Sequence, residues 1–213
     1  METVVLVPAL ATTARLFTPQ VDALSATREV VVADLHGSGP FTLDAAARRV
    51  TDAIDAATGP VRLGGISLGA TVAALACLAR PGRVRHLVLS GGVAHPPPAL
   101  AIQRALSAVL PLGVLARLAA AQQGPDGAAD LRAVGKGTYL AGLRELARVD
   151  LRPRLREITL PTLVVCGDRD KVNIPLSREL AAGIPGAELR IIPGAGHLWN
   201  LEQPAAFTAL LLE

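Results

Sequence analysis

One serine of the chain, Ser67, occupies a position where its hydroxyl could act as a nucleophile. It lies in the sequence Gly-Ile-Ser-Leu-Gly, residues 65–69, which matches the pattern G-x-S-x-G. The apolar run Val61–Ile66 precedes it and the apolar, helix-length segment Leu68–Ala79 follows it. A serine at such a strand-to-helix turn has strained dihedral angles that expose its hydroxyl, and flanking glycines avoid crowding. The helix N-terminus also favours developing negative charge. The alternative is a turn that only joins a strand to a helix.

The residue types that activate a serine lie further along the chain. A serine hydroxyl is a weak nucleophile until a base removes its proton, and an imidazole does this best when a carboxylate fixes its tautomer. Asp168 and Asp170 follow the apolar run Thr162–Cys166, and His197 lies in a glycine-rich loop after a later apolar run. The interval between Asp170 and His197 is long enough for one helix and one strand.

The elements around these residues predict an α/β fold. Short runs rich in Val, Leu and Ile alternate with longer segments of helical period, which indicates a three-layer α/β/α sandwich around a mostly parallel sheet of about six strands. The predicted strands are Thr3–Val7, Glu29–Ala33, Val61–Ile66, Arg83–Leu89, Thr162–Cys166 and Ala187–Ile192. The predicted helices are Pro19–Ser25, Leu43–Thr58, Leu68–Ala79, Pro175–Gly183 and Pro204–Leu212.

One segment, residues 92–158, interrupts this alternation. It contains no convincing strand, and Leu100–Gln122 and about Ala128–Leu146 are predicted helices rich in Leu and Ala. An all-helical insertion predicts a lid over the carboxyl ends of the strands, where ligands bind; the alternative is an ordinary packing element. The core is then residues 1–91 and 159–213. An apolar stripe of the first of these helices is expected to form pocket walls if the segment is a lid, and core if it is not: Ile102, Leu106, Val109 and Leu110.

The G-x-S-x-G motif resembles the α/β-hydrolase family, and the resemblance covers nearly the whole chain outside the helical segment. It implies the chain order nucleophile, acid, histidine, and therefore Ser67, Asp170 and His197. Asp170 is preferred because the second carboxylate of the family's acid loop points towards the site. Asp168 is the alternative acid, and it is otherwise expected to cap its loop through backbone amides. Of the other histidines, His95 is kept as a candidate for substrate contact.

The resemblance also implies an oxyanion hole. One donor is expected to be the backbone N–H of Leu68, and the second that of Leu10, in the loop after the first strand. There the pair Pro8-Ala9 replaces the His-Gly pair that is common in the family. The chain begins directly with that strand, so the family's first two strands are expected to be absent. A partner subunit could cover the shortened edge, which makes a homodimer a further expectation.

Composition argues against several other classes of protein. The net charge is only +3, the basic residues are scattered and five aromatic side chains are present, so nucleic-acid binding is poorly supported. No apolar stretch approaches the roughly 20 residues of a membrane-spanning helix, and the N-terminus does not resemble a secretory signal. A cytoplasmic protein is expected. Cys77 and Cys166 lie in apolar runs without metal-ligand neighbours, so no metal site is predicted. No cofactor is predicted either.

These features predict a serine hydrolase of the carboxylesterase or thioesterase type that cleaves an ester or thioester of an apolar small molecule through an acyl-enzyme. Serine instead of aspartate at position 67 argues against the dehalogenases and epoxide hydrolases of this fold. Carbon–carbon bond hydrolases and cofactor-free lyases share the same residues and stay open as alternatives. So does a small-ligand receptor without catalysis, although a receptor has no need of all three residues.

Overall fold

Six strands form one parallel sheet in the computed structural model, which describes residues 1–123 and 125–213. In chain order they are β1 (Thr3–Val7), β2 (Glu29–Val32), β3 (Val61–Ile66), β4 (Val84–Ser90), β5 (Thr162–Gly167) and β6 (Glu188–Ile192). Neighbouring strands are parallel throughout, in the spatial order β2-β1-β3-β4-β5-β6. The predicted fold class is confirmed, and each predicted strand boundary lies within one residue of the observed one.

The direction in which strands are added reverses between β1 and β3. Strand β2 lies on one side of β1, whereas β3 and all later strands of the described sheet continue on the other side. Loops that leave the carboxyl ends of β1 and β3 therefore diverge, and a crevice opens at this point of an open α/β sheet. Leu10 lies just after β1 and Ser67 just after β3, so both candidates flank this crevice.

Helices cover both faces of the sheet. In chain order they are α1 (Thr18–Leu24), α2 (Leu43–Ala56), α3 (Leu68–Ala79), α4 (Leu100–Val109), α5 (Leu112–Gln123), α6 (Pro125–Val134), α7 (Lys136–Leu146), α8 (Asn173–Gly183), α9 (Trp199–Glu202) and α10 (Pro204–Leu212). Helices α2, α3 and α8 share one apolar core with the sheet, whereas α1, α9 and α10 share the other. Because both faces are covered, strands β1, β3 and β5 are buried along their whole length.

Local signals account for the starts of helices α2 and α10. Helix α2 begins after Thr42, whose hydroxyl accepts a hydrogen bond from the N–H of Ala45 at 3.1 Å. Helix α10 begins at Pro204, where a missing N–H costs nothing. The predicted start of α8 at Pro175 is wrong, since the helix begins at Asn173. Proline is tolerated there because the first four N–H groups of a helix have no partner within it.

Between residues 100 and 146 the described chain forms four helices and no strand. The two long helices predicted here are each broken in two. Pro111 separates α4 from α5, because proline clashes with helical backbone and holds the residue before it extended. Gly135, with φ +81°, separates α6 from α7. None of the described helices combines the length and apolar character that crossing a membrane would require.

Candidate active site

Ser67 forms the strained turn between β3 and α3. Its φ of 57° and ψ of −123° are unusual for any residue other than glycine. The N–H of Ser67 donates to the carbonyl oxygen of Ser90 at 2.8 Å, which ties the turn to the end of β4. A Cβ on Gly65 would collide with the backbone of Gly69, and a Cβ on Gly69 with the carbonyl oxygen of Val7. Both glycines are therefore required by close packing of backbone on backbone.

Asp170 and His197 are brought together from separate loops. Asp170 lies between β5 and α8, His197 between β6 and α9, and Oδ2 of Asp170 is 2.6 Å from Nδ1 of His197. Burial raises the pKa of Asp170, but hydrogen bonds and charge from His197 together with hydrogen bonds from Asn173 outweigh it, so the pKa lies below its ordinary value. An ionised carboxylate holds the proton on Nδ1 and leaves Nε2 of His197 free to accept one.

Ser67 and His197 line the same cavity, although no hydrogen bond joins their side chains in the described part of the chain. The Ser67 side chain does not cap helix α3 either. Hydrogen bonds between a nucleophile and its base frequently tighten only when a substrate is bound. The hydroxyl is thus available to a base on the cavity side.

Asn173, the first residue of α8, contacts both Asp170 and His197, and the sequence analysis did not predict it. Its Nδ2 donates to both carboxylate oxygens of Asp170 at 2.9 Å and lies 3.2 Å from Nδ1 of His197. Since Nδ1 carries the proton shared with Asp170, the amide acts mainly by holding the carboxylate. A polar residue three positions after the acid, at the start of a helix, is the signal that could have identified it.

Ser90 and Gly91, at the end of β4, connect the nucleophile to the histidine. The hydroxyl of Ser90 accepts a hydrogen bond at 2.9 Å from the indole N–H of Trp199, a fully buried residue two positions after His197. The Ser90 carbonyl holds Ser67, as described above, so one residue positions both loops. Gly91 has φ +58°, and a Cβ there would lie 3.2 Å from Cε1 of His197. Glycine therefore leaves room for the imidazole ring.

The remaining acidic and histidine candidates lie elsewhere. Among the described residues, Asp168 forms no ion pair with His197, whose Nδ1 instead lies beside Asp170. The expected role of Asp168 as a cap for backbone amides is wrong for Oδ1, which is buried and has no hydrogen-bond partner in the described chain. Nε2 of His95 lies 2.8 Å from Oε2 of Glu179 on α8. Neither Asp168 nor His95 is among the described residues that line the cavity.

The two predicted oxyanion donors flank Ser67. Leu68 is the first residue of α3, and both Leu68 and Leu10 line the cavity. Among the described residues, neither backbone N–H donates a hydrogen bond, so both could serve an oxyanion. The residue after Leu10, Ala11, has φ +63°, and Thr12 closes this loop through its N–H and hydroxyl, which donate to Ala9 at 3.2 and 2.8 Å. The loop that carries the second donor is strained and well held.

Asp130 on α6 joins the helical segment to this same loop. It is buried, and its carboxylate accepts hydrogen bonds from the N–H and hydroxyl of Thr13 at 2.9 and 2.8 Å. The guanidinium of Arg15 adds a further hydrogen bond at 3.0 Å. Gly142 on α7 packs against the side chain of Leu10. The position of the segment and the position of the candidate oxyanion donor are therefore linked by direct contacts.

The cavity has a volume of about 1020 Å³ and lies between the strand ends and the helical segment. Of the stripe predicted on the first helix, Ile102, Leu106 and Leu110 line it. Ile102 and Leu106 are 66% and 54% exposed, so a sealed core is excluded for them. Val109 does not belong to the lining; it is 77% exposed on the outside of α4, and the prediction is wrong for this residue.

Both cysteines are buried and free, as their apolar surroundings predict. Burial raises the pKa of the Cys77 thiol to about 12, and burial together with the charge of Asp170 raises that of Cys166 to about 11. The reactive thiolate is therefore scarce at neutral pH. In the described chain, no group of three or more His, Cys, Asp and Glu side chains could hold a metal ion.

A model of the alpha/beta hydrolase family matches residues 4–210. The chain is similar to "Putative carbamate hydrolase RutD" of Azorhizobium caulinodans, with 26% identity over 91% of this chain and 83% of that protein. This chain aligns with only 29% of the length of another curated relative, at 30% identity. A solved hydrolase from Pseudomonas aeruginosa superposes with TM-score 0.83 and 27% identity over 99% of this chain and 88% of its own. A thermophilic esterase from Thermogutta terrifontis superposes with TM-score 0.81 and 25% identity, over 100% and 88%.

Proposed function

Because the chain belongs to the alpha/beta hydrolase family, we propose that it is a serine hydrolase that cleaves a carboxylic ester or thioester of an apolar small molecule. One observation carries the proposal. The Asp170 carboxylate holds Nδ1 of His197 at 2.6 Å beside a cavity that the strained Ser67 also lines. A nucleophile, a base and an acid that orients the base are the parts that acyl transfer to water needs.

The reaction follows from these positions. The Ser67 hydroxyl adds to the scissile carbonyl carbon while Nε2 of His197 takes its proton, and the N–H groups of Leu68 and Leu10 stabilise the oxyanion. The tetrahedral intermediate collapses, and His197 gives the proton to the departing alcohol or thiol. Water then attacks the acyl-enzyme with His197 as base, which releases the carboxylic acid and restores Ser67. Asp170 stays ionised and stabilises the imidazolium in both halves of the reaction.

The walls of the cavity favour a substrate that is largely apolar. Most of the lining that comes from the helical segment is aliphatic, including Ile102, Leu106, Leu115 and Leu143. Two of the similar proteins are named as an esterase and a putative carbamate hydrolase. Both names describe cleavage of a bond between a carbonyl carbon and a heteroatom, which agrees with acyl transfer. As part of this proposal, residues 92–158 act as the lid that supplies the substrate-contacting wall.

Labelling with a fluorophosphonate tests the proposal. We expect covalent modification of Ser67 in the wild type and in Ser25→Ala, a matched control at an exposed serine, and none in Ser67→Ala. A panel of p-nitrophenyl esters and acyl-thioesters, measured on the same three proteins, then identifies the substrate class. A folded wild type that neither reacts with the probe nor hydrolyses any member of the panel would refute the proposal and favour a ligand receptor.

A further inference from the structure

Four polar side chains interrupt the aliphatic wall that the helical segment contributes to the cavity. Gln123, at the end of α5, stands apart, and the other three are joined by hydrogen bonds. Gln103 and Ser107 lie one turn apart on α4, and Tyr139 lies on α7. Ser107 is only 4% exposed. Among the described residues, no side-chain hydrogen bond joins this group, which we call the polar cluster, to the strand ends or to the candidate catalytic residues. Polar groups placed against apolar walls cost free energy unless they gain hydrogen-bond partners.

The hydrogen bonds within the polar cluster are long. Oη of Tyr139 is 3.4 Å from Oγ of Ser107 and 3.4 Å from Nε2 of Gln103. Hydrogen bonds between hydroxyls ordinarily span about 2.5–3.0 Å, and those from an amide nitrogen about 2.7–3.2 Å. The three groups therefore retain donors and acceptors that a ligand in the cavity could use.

Joining the two helices is a role that another residue already fills. The Lys136 ammonium, one turn before Tyr139 on α7, donates to the carbonyl oxygens of Ala108 and Leu110 at 2.7 Å each. These short, charge-assisted bonds hold the end of α4 to the start of α7. The ring of Tyr139 packs against the apolar cluster that contains Ala11 and Leu115, a contact that needs no hydroxyl. The long hydrogen bonds of the Tyr139 hydroxyl add little to the connection between the helices, so that connection does not account for the polar groups.

The charges around the cavity indicate which ligand group would suit the polar cluster. Among the described lining residues apart from His197, Arg169 is the one basic side chain, and it forms an ion pair with Glu202, another lining residue. An anionic group would therefore find no free cation. A hydroxyl, an amide and a phenol instead match an uncharged oxygen that accepts or donates hydrogen bonds.

We propose that the polar cluster is a recognition subsite for an uncharged hydroxyl or keto oxygen on the substrate, remote from the scissile carbonyl. The inference rests on the proposed function for the identity of the bond that is cleaved. The substrate is then an oxygenated ester or thioester and not a plain hydrocarbon one. Either the acyl part or the alcohol part could carry this oxygen.

Matched pairs of esters test the subsite. One series carries a hydroxyl or keto group at successive positions of the acyl chain, a second carries it on the alcohol, and each compound has an unsubstituted partner. For one position in one series, we expect kcat/KM of the wild type to be about tenfold or more higher for the oxygenated ester than for its unsubstituted partner. Tyr139→Phe should remove most of this ratio, because one hydrogen bond is worth about that much. Ser107→Ala should lower the same ratio.

The control is Leu106→Ala, which changes an aliphatic lining residue beside Ser107 and should shift both members of a pair alike. The same ratio is also measured as Kd for ketone analogues that cannot be hydrolysed, on Ser67→Ala with and without Tyr139→Phe. Turnover without any oxygen preference, or a Tyr139→Phe effect equal for both partners, overturns the subsite and leaves the serine hydrolase intact. If the ketone analogues show the oxygen preference in Kd but the wild type hydrolyses none of the esters, the subsite is supported and the proposed function is refuted.

Discussion

The strand ends and the helical segment meet at one cavity but are built differently. Val4 to Val7 of β1 are fully buried, and β3 and β5, which precede Ser67 and Asp170, are buried throughout. By contrast, Ile102 and Leu106 of α4 are more than half exposed although they line the cavity. Groups able to react are therefore held by the packed sheet, whereas the wall that would select the substrate lies on more exposed helices that tolerate substitution.

Backbone strain shows the same contrast. Within the described residues, the non-glycine positions with positive φ are Ala11 and Ser67, and both lie on the sheet side of the cavity. Strained backbone persists only where dense surroundings leave no alternative conformation. In the helical segment the corresponding turn is made by Gly135, for which φ +81° carries little cost. Conformational strain is thus concentrated beside the candidate nucleophile.

The largest expected effect tests the sheet side. Ser67→Ala removes the proposed nucleophile and should lower kcat/KM for esters by at least about 10³-fold, since the remaining oxyanion donors cannot replace the nucleophile. A small side chain suits the turn, so circular dichroism and the thermal midpoint should stay close to those of the wild type. The exposed control Ser25→Ala should keep full activity. Retention of a tenth of the activity by Ser67→Ala would contradict the assignment.

The next effect distinguishes the two aspartates of the acid loop. Asp170→Asn keeps the shape of the side chain but no longer fixes the tautomer of His197, so kcat should fall by about 10²–10⁴-fold. Asp168→Asn should change kcat far less, because the carboxylate paired with His197 among the described residues is that of Asp170. The measurement is steady-state kinetics on both variants with one ester. A larger loss in Asp168→Asn would show that the acid has been assigned to the wrong carboxylate.

A smaller effect concerns Asn173, whose amide helps to hold the Asp170 carboxylate. Asn173→Ala should lower kcat/KM at pH 7 by about fivefold, the worth of one hydrogen bond of about 1 kcal/mol. Because hydrogen bonds from Asn173 lower the pKa of Asp170, their loss should raise that pKa. The carboxylate is needed ionised, so the part of the acid-side loss of activity that follows protonation of Asp170 should move to a higher pH. An unchanged pH profile, equal to that of the exposed control Arg178→Ala, would refute a positioning role.

The smallest effect on rate, and the sharpest test of the helical segment, comes from enlarging its wall. Leu106→Trp should change the preference between short and long acyl esters with a modest loss of stability, because Leu106 lines an open cavity. Overpacking a sealed core would instead cost about 1–3 kcal/mol and leave chain-length preference unchanged. Val109→Trp is the matched control on the outer side of the same helix. Equal chain-length profiles for both variants would contradict the role of a substrate-contacting wall.

Several features of the fold could be predicted from the sequence because their causes are local. Buried parallel strands need apolar residues on both faces, so their runs stand out, and all six were located within one residue at each end. The turn at Ser67 could be predicted because only glycine fits at positions 65 and 69. In the helical segment the predicted helix boundaries were wrong. Apolar periodicity continues across Pro111 and Gly135, so the periodicity alone does not show that the helices end at these two residues.

The order of the strands along the chain, the strained serine and the residue types able to activate it follow from the amino-acid sequence alone. Which of those groups meet depends on how the chain folds in three dimensions. Asp170 lies beside His197, Ser90 anchors both Ser67 and Trp199, and Asp130 of the helical segment holds Thr13. Such contacts join residues that lie tens of positions apart in the chain. Their distances are set by how strands, helices and loops pack together, which no local pattern of residues encodes.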